Sequence, residues 1–381
     1  MIMTRHQTLF LELLRAGLWG LPADPSHFQP AQTDWNAILK IAKEQTVMVI
    51  VTDGIETLPQ ELWPRKEAMM KLMMVRVRTE QMHQLLNSTL NQIVSALNDK
   101  DIPSVLLKGQ GVAQNYRKPT SRSCGDIDLY TGLGGYEQAC MIIDRLNNGQ
   151  EHKEAAESDH HMHMSLNGVE IEIHRYADMM PGKRLNARLQ QWTKESIDAH
   201  FGTDALNKWD NNGTIIQLAT ATFDAFFILH HAVRHMTTEG VGFRQICDWT
   251  MYLHKNHSQI NPSLLQQKLE EFHMTAVWNK FGRIATDLLG LPAEELPLAS
   301  GCHKASKTED LLRHIFISGN FGRFDTNARD NSKTTYLKRK WRSFRYQSSR
   351  LFKLFNLFPR YISHYAWGWL CEAVGRVVRG K

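Results

Sequence analysis

Leu106-Leu107-Lys108-Gly109-Gln110-Gly111, followed by Arg122 and by Asp126-Ile127-Asp128-Leu129, is the stretch on which the reading of this 381-residue chain turns. Side chains alternate across a strand, so Asp126 and Asp128 point to one face while Ile127 and Leu129 point to the other, toward a core. Two neighbouring carboxylates repel each other unless cations neutralise them. Mg²⁺ or Mn²⁺ suits that task, because such ions take oxygen ligands, usually one or two carboxylates together with phosphate and water. The glycine-bearing loop just upstream lets backbone come close to phosphate. Carboxylates, loop and Lys108 together form a pattern fit for a metal-bound nucleotide. Asp-x-Asp alone fits equally well two solvated acids on a strand edge.

A hairpin some thirty residues on tips the balance. Residues His160 to Leu166 and Val169 to Arg175 flank Asn167-Gly168, and Asn-Gly between alternating runs is the strongest short-range hairpin signal. Pairing Leu166 with Val169 sets Met164 opposite Ile171 and Met162 opposite Ile173, an apolar face. The other face then carries Ser165 opposite Glu170, His163 opposite Glu172 and His161 opposite His174. Burial of the apolar face presents a third carboxylate beside Asp126 and Asp128, and Glu172 is the candidate ahead of Glu170. The run Asp159-His160-His161-Met162-His163 matches known zinc spacings only loosely. Its histidines are therefore read as hydrogen-bonding or solvated groups, with His163 placed to orient Glu172. His174 is placed to touch phosphate or to pair with a carboxylate.

Leu-Lys-Gly-x-x-x-Ala (Leu107 to Ala113), Arg-x-x-x-Asp-x-Asp-Leu (Arg122 to Leu129) and Glu-x-His (Glu172 to His174) together resemble the DNA polymerase β-like nucleotidyltransferase superfamily. More narrowly, the chain resembles a bacterial family of uncharacterised nucleotidyltransferases often associated with surface-polysaccharide gene clusters. FLELLRAGLWG (Phe10 to Gly20), WNAILKIAKEQT (Trp35 to Thr46) and GFRQICDW (Gly242 to Trp249) extend the resemblance over most of residues 4–255. It implies an α+β nucleotidyltransferase fold with a small mixed sheet, using a nucleoside triphosphate and Mg²⁺. Asp126 and Asp128 would match the metal-binding pair and Glu172 the third carboxylate. Lys108 and Gly109 would match the loop that meets the triphosphate, and Arg122 the basic residue before the aspartates; Gln110 and His174 complete the nucleotide-side candidates. The superfamily loop carries Gly-Ser or Gly-Gly. This chain has Gly109-Gln110 there, without the hydroxyl that would contact phosphate.

The chain is long enough for a sizeable core and two or three subdomains. Four regions are expected: an N-terminal helical region (1–100), the nucleotidyltransferase core (101–210), a helical subdomain (211–320) and a basic aromatic tail (321–381). Five scattered cysteines and a first 25 residues without signal-peptide zones point to the cytoplasm. No run of 18 apolar residues predicts a membrane span. Helical spacing marks Phe10, Leu13, Leu14 and Leu18, and Ile38, Ile41 and Ala42 behind Asp34 as N-cap. A long helix is expected over 64–99 with Met69, Met73, Val77, Met82, Leu86 and Leu90 in the core. Ile102 to Leu107 reads as the first strand, Val112 to Tyr116 and Tyr136 to Leu146 as helices, and Ile215 to His235 as a later helix. His231 and His235 share one face of it, near Arg234, Arg244 and Asp248. That face reads either as lining for base, sugar or acceptor, or as an ordinary polar helix interface.

Net charge is +6, and residues 331–381 hold twelve Lys or Arg against Glu372 alone. Basic residues interleaved with Tyr336, Trp341, Phe344 and Tyr346 fit three roles: a helix packed on the body, contact with an anionic membrane surface, or RNA binding. The expected function is Mg²⁺-dependent transfer of a nucleoside monophosphate to an acceptor hydroxyl or phosphate, the resemblance suggesting a sugar or glycan precursor. Two other readings stay open: an idle nucleotidyltransferase fold acting as scaffold or nucleotide sensor at the inner membrane surface, and an RNA-directed transferase.

Overall fold

The computed structural model describes residues 3–30, 32–147, 161–302, 308–320 and 336–378. Asp159 and His160, and residues 331–335 of the basic segment, lie outside the described residues. In chain order the elements are α1 (Arg5–Trp19), α2 (Trp35–Glu44), α3 (Met48–Ile55), α4 (Lys66–Asn98), β1 (Val105–Leu106), α5 (Gln110–Ala113), β2 (Asp126–Tyr130), α6 (Gly132–Leu146), β3 (His161–Leu166), β4 (Val169–His174), α7 (Lys183–Ser196), β5 (Asn207–Asn211), β6 (Thr214–Leu218), α8 (Ala221–Thr238), α9 (Phe243–Asn256), α10 (Pro262–Glu271), α11 (Thr275–Asp287), α12 (Ala299–Cys302), α13 (Thr308–Ser318), α14 (Tyr336–Phe355) and α15 (Pro359–Val378). This is a mostly helical chain around one mixed sheet, the α+β class expected. The contacts divide it into two compact units, Met1–Leu72 with Ile228–Lys381, and Met73–Phe227.

The Met73–Phe227 unit holds all six strands, in the order β3-β4-β2-β1-β6-β5. β2 and β4 are parallel, as are β1 and β6, and the other neighbours are antiparallel. The β3–β4 hairpin has the register that its alternation dictates, Leu166 opposite Val169 through His161 opposite His174. Its turn puts Asn167 at φ 54° and Gly168 at φ 78°, the left-handed pair that a two-residue hairpin turn requires. One face of the sheet packs Ile127, Leu129, Ile171 and Ile173 against Leu86, Leu90 and Ile93 of α4 and Ile143 of α6, all fully buried.

Three expectations change. The first strand shrinks from Ile102 to Leu107 to Val105–Leu106, because the Ile102 amide closes the end of α4 on the Leu97 carbonyl and Pro103 has no amide to give. The segment from Ile215 begins as strand β6, and the helix starts only at Ala221. A second Asn-Gly pair explains this: Asn212 and Gly213 adopt φ 51° and 92° and close β5 onto β6. On α4, Met69, Leu86 and Leu90 are buried as expected, whereas Val77 (50 %) and Met82 (37 %) stand exposed.

In the other unit α1 begins with a capping box between Thr4 and Gln7 and ends on left-handed Gly20. It crosses α3 backbone to backbone: a Cβ on Gly17 would collide with the Ile50 carbonyl, and one on Gly54 with that of Leu13. α14 and α15 form a helical hairpin with Leu354, Phe358 and Ile362 buried. Gln347 and Arg350 of α14 donate to the carbonyls of Thr237 and Met236, at 2.8 Å each. Among the described residues no helix is long and apolar enough to cross a membrane.

Asp224, near the start of α8, is buried, and its Oδ1 accepts no hydrogen bond among the described residues. Burial holds its carboxyl well above the usual carboxylate range. A raised native pKa favours folding below the unfolded value of about 4 and loses that contribution as pH rises through the native value. Asp224→Asn is therefore expected to melt higher than wild type at pH 7–8, with the gap closing toward pH 4, in thermal melts across that range.

Candidate metal and nucleotide site

Parallel pairing of β2 and β4 sets Asp126 opposite Glu170 and Asp128 opposite Glu172. With the isoleucines and Leu129 turned into the core, these acids share the other face. One oxygen from each of Asp126, Asp128 and Glu172 lies within 4.8 Å of the other two. Glu170 is exposed and stands outside that group. An all-carboxylate donor set suits a hard cation such as Mg²⁺ or Mn²⁺. Asp128 adds a second sign of fit. It is fully buried, and its Oδ2 has no hydrogen-bond partner among the described residues, a costly state that a bound cation would relieve.

Lys108 follows β1, and its Nζ lies 3.0 Å from Asp128 Oδ1. Burial alone would lower the Lys108 pKa, but the charges of Asp128, Asp126 and Glu172 outweigh it and raise the value. The ammonium thus already neutralises part of the acid group. The neighbouring backbone locks the arrangement, since the Leu107 amide donates to the Asp128 carbonyl at 3.0 Å. Gly109 turns the chain at φ 63°, where a Cβ would also meet the Asp126 carbonyl oxygen at 3.2 Å. Only glycine fits both demands.

Gln110 and Arg122 are held inward. The Gln110 amide donates to Nδ1 of His83, at 3.1 Å, and to Asn87 Oδ1. His83 donates in turn from Nε2 to the Arg122 carbonyl at 2.7 Å. That carbonyl can only accept, so His83 carries its proton on Nε2 and receives Gln110 on Nδ1. Burial, acting against the hydrogen bond to Arg122, pushes the His83 pKa down. Arg122 is buried, with Nη1 2.8 Å from Cys124 Sγ.

The hairpin histidines surround Glu172. His174 Nε2 is 3.2 Å from Asp128 Oδ1 and 3.3 Å from Glu172 Oε2. His163 Nδ1 is 3.4 Å from Glu172 Oε1, and His161 Nε2 is 3.8 Å from Oε2. Burial would raise the Glu172 pKa, but the hydrogen bond from His174 and the charge of Lys108 pull it well below the usual range. Burial would lower His174, but its bonds to Asp128 and Glu172 raise it. For His161 burial prevails over Glu172, and its pKa falls to about 4.

One strand step past Asp128, Tyr130 opens a cavity of about 590 Å³ lined also by Thr131, Gly134, Arg175, Lys194 and Asp198. Tyr130 donates to Asp198 Oδ1 at 2.9 Å, and the Arg175 guanidinium lies 4.2 Å above the Tyr136 ring. Sequence reading missed this cavity and missed His83. The available signals were the basic residue directly after Glu-x-His, and a polar stripe of His83, Asn87 and Asn91 at four-residue spacing on α4. The second constellation lies within the other unit: His231 and His235 face each other with Nε2 atoms 2.9 Å apart, Arg234 is 3.2 Å from His231 Nδ1, and His235 pairs with Glu239 at 3.4 Å. Arg244 and Asp248 sit on α9, with Asp248 buried.

The sequence profile of a family described as uncharacterised nucleotidyltransferase matches residues 31–290, more than half of the chain. No curated protein and no solved structure matches.

The acids differ in how the fold uses them, and stability measurements will show it. Asp128→Asn leaves Lys108 with a weakened partner. Its expected cost is about 2–3 kcal/mol in urea unfolding, below the ~3–5 kcal/mol of a fully buried pair because the ammonium keeps some access to water. Asp126→Asn is expected to stay within about 0.5 kcal/mol of wild type.

Proposed function

From the chain's membership of the uncharacterised nucleotidyltransferase family, we propose that it transfers a nucleoside monophosphate from a nucleoside triphosphate to an acceptor hydroxyl or phosphate, with Mg²⁺ or Mn²⁺ held by Asp126, Asp128 and Glu172. The observation that carries this reading is the closeness of the three carboxylates on adjacent parallel strands. When bound, the metal supplies charge neutralisation at the triphosphate and a Lewis acid for the reacting oxygens. Lys108, already aimed at Asp128, adds positive charge where the pyrophosphate leaves. The Gly109 turn brings backbone against the strand that bears the acids. With no metal on its Nε2, His174 holds a proton there between Asp128 and Glu172 and keeps both carboxylates oriented. Gln110 and Arg122 act here through the loop they anchor, since the Gln110 amide nitrogen is engaged with His83 and Asn87, and the Arg122 carbonyl and Nη1 with His83 and Cys124.

The acceptor has a natural place in the cavity beyond Tyr130. Its aromatic wall, with Arg175 and Lys194 beside Asp101 and Asp198, suits a compact polar molecule, which includes a sugar or glycan precursor of the kind the family resemblance suggests. An idle scaffold would have no need to bring together three acids and a buried, undonated carboxylate oxygen, and for that reason the enzyme reading is preferred.

A second reading concerns the partner of α14 and α15. Trp341 (66 %), Phe352 (75 %) and Trp367 (69 %) are exposed, and so are Arg345, Lys353 and Arg360. Aromatic side chains beside cationic ones suit an anionic membrane surface.

The test is incubation of the full chain with each labelled triphosphate, Mg²⁺ and a cell extract. A labelled small molecule is the expected product; labelled RNA would move the acceptor to nucleic acid, and no product with any triphosphate would remove the enzyme reading. Glu172→Gln is expected to abolish transfer, whereas Glu170→Gln keeps most of it; equal, severe losses would mean that the carboxylate set is wrongly chosen. For the membrane reading, the protein is expected to sediment with anionic vesicles and not with neutral ones, and Trp341→Ser with Trp367→Ser to weaken this without changing the melting temperature.

A further inference from the structure

We propose that His161, His174 and Glu172 form a second metal site, for Zn²⁺, beside the carboxylate group and sharing Glu172 with it. The inference goes beyond nucleotidyl transfer and does not need it. His161 and His174 are directly opposite each other across the antiparallel β3–β4 ladder, and Glu172 lies two residues before His174 on the same face. One donor atom from each of the three falls within 4.8 Å of the others. His174 Nε2 and His161 Nε2 are 3.3 and 3.8 Å from the same Glu172 oxygen, Oε2. Ligands about 2.0–2.1 Å from a tetrahedral Zn²⁺ lie ~3.3 Å from one another, so small side-chain movements close the shell.

The chemistry of the donors separates this site from the first. Two imidazole nitrogens and one carboxylate suit Zn²⁺, whereas three carboxylates suit Mg²⁺. His161 and His174 are both buried, so the ligand rings are held by packing before any ion arrives. His163 stands at the open side, half-exposed, with Nε2 2.7 Å from His161 Nε2, where a fourth donor belongs. Glu172 has two oxygens and can bridge, and a Zn²⁺ ion on its Oε2 side would fix the orientation in which it faces Asp126 and Asp128. The His-x-His spacing alone does not make such a site. The hairpin completes it by delivering His174 and Glu172 from the partner strand.

The experiment uses the full chain, stripped with chelator and dialysed against Zn²⁺ in excess Mg²⁺, with bound metal counted by mass spectrometry. One Zn²⁺ per chain is expected to remain. Co²⁺ in its place is expected to give the visible absorption bands of a nitrogen-ligated ion. His161→Ala and His174→Ala should each weaken Zn²⁺ binding by more than the ~10–100-fold typical of changes behind the ligands; Asp126→Asn should leave it unchanged. His161→Gln, which keeps a polar side chain on the hairpin, repeats the test should an alanine variant unfold. Zn²⁺ that Mg²⁺ displaces, Zn²⁺ held equally by wild type and the histidine variants, or no Co²⁺ bands would overturn the proposal. Because binding is read without nucleotide, failure of the transferase reading leaves this result intact, and failure of Zn²⁺ binding leaves the transferase reading intact.

Discussion

Parallel pairing of β2 with β4 is the constraint on which the site depends. It alone sets Asp128 beside Glu172, residues 44 positions apart in the chain. A slip of one residue would turn Ile171 and Ile173 out of the core and put them against the aspartates. Burial of the isoleucine face holds that register, while the left-handed Asn167-Gly168 turn holds β3 to β4 in the hairpin. Gathering three carboxylates on one face is costly, and Lys108 and His174 offset that cost, both at the same oxygen, Asp128 Oδ1. The basic residues around the acids therefore belong to the fold as much as to any chemistry.

That division of labour explains why stability and chemistry are entangled at Asp128 and separate at Asp126. Asp128 has no exposure and carries both an ion pair and a histidine contact, whereas Asp126 sits at the strand's open end, half-buried. The first is a keystone of the β1–β2 junction. The second is free to answer to a ligand.

Local signals made much of this arrangement legible in the sequence. Asp-x-Asp, Asn167-Gly168 and the alternation around them fixed the strand faces and the hairpin register, because period-two patterning acts residue by residue. The same turn chemistry at Asn212-Gly213 is less legible, since Ile215-Ile216 leads straight into a helical run and alternation there is short. Partnerships across the sequence were invisible. Nothing local says that Gln110 turns toward His83 and Asn87 on α4, or that Tyr130 reaches Asp198. The apolar residues of α4 do not form a single stripe: nine residues on from Val77, Leu86 lies on the opposite side of the helix, so Val77 stands exposed while Leu86 and Leu90 are buried.

The Gln110, His83 and Asn87 contact bears on how this loop can vary among relatives. A serine at position 110 is too short to donate to the His83 ring and the Asn87 carboxamide. His83 would then lose the donor on its Nδ1 while its Nε2 still gripped the Arg122 carbonyl. The three positions are thus expected to change together, and relatives with serine at 110 should carry other residues at 83 and 87. Such correlated exchange would mark the Gln110 contact as an internal brace of the loop.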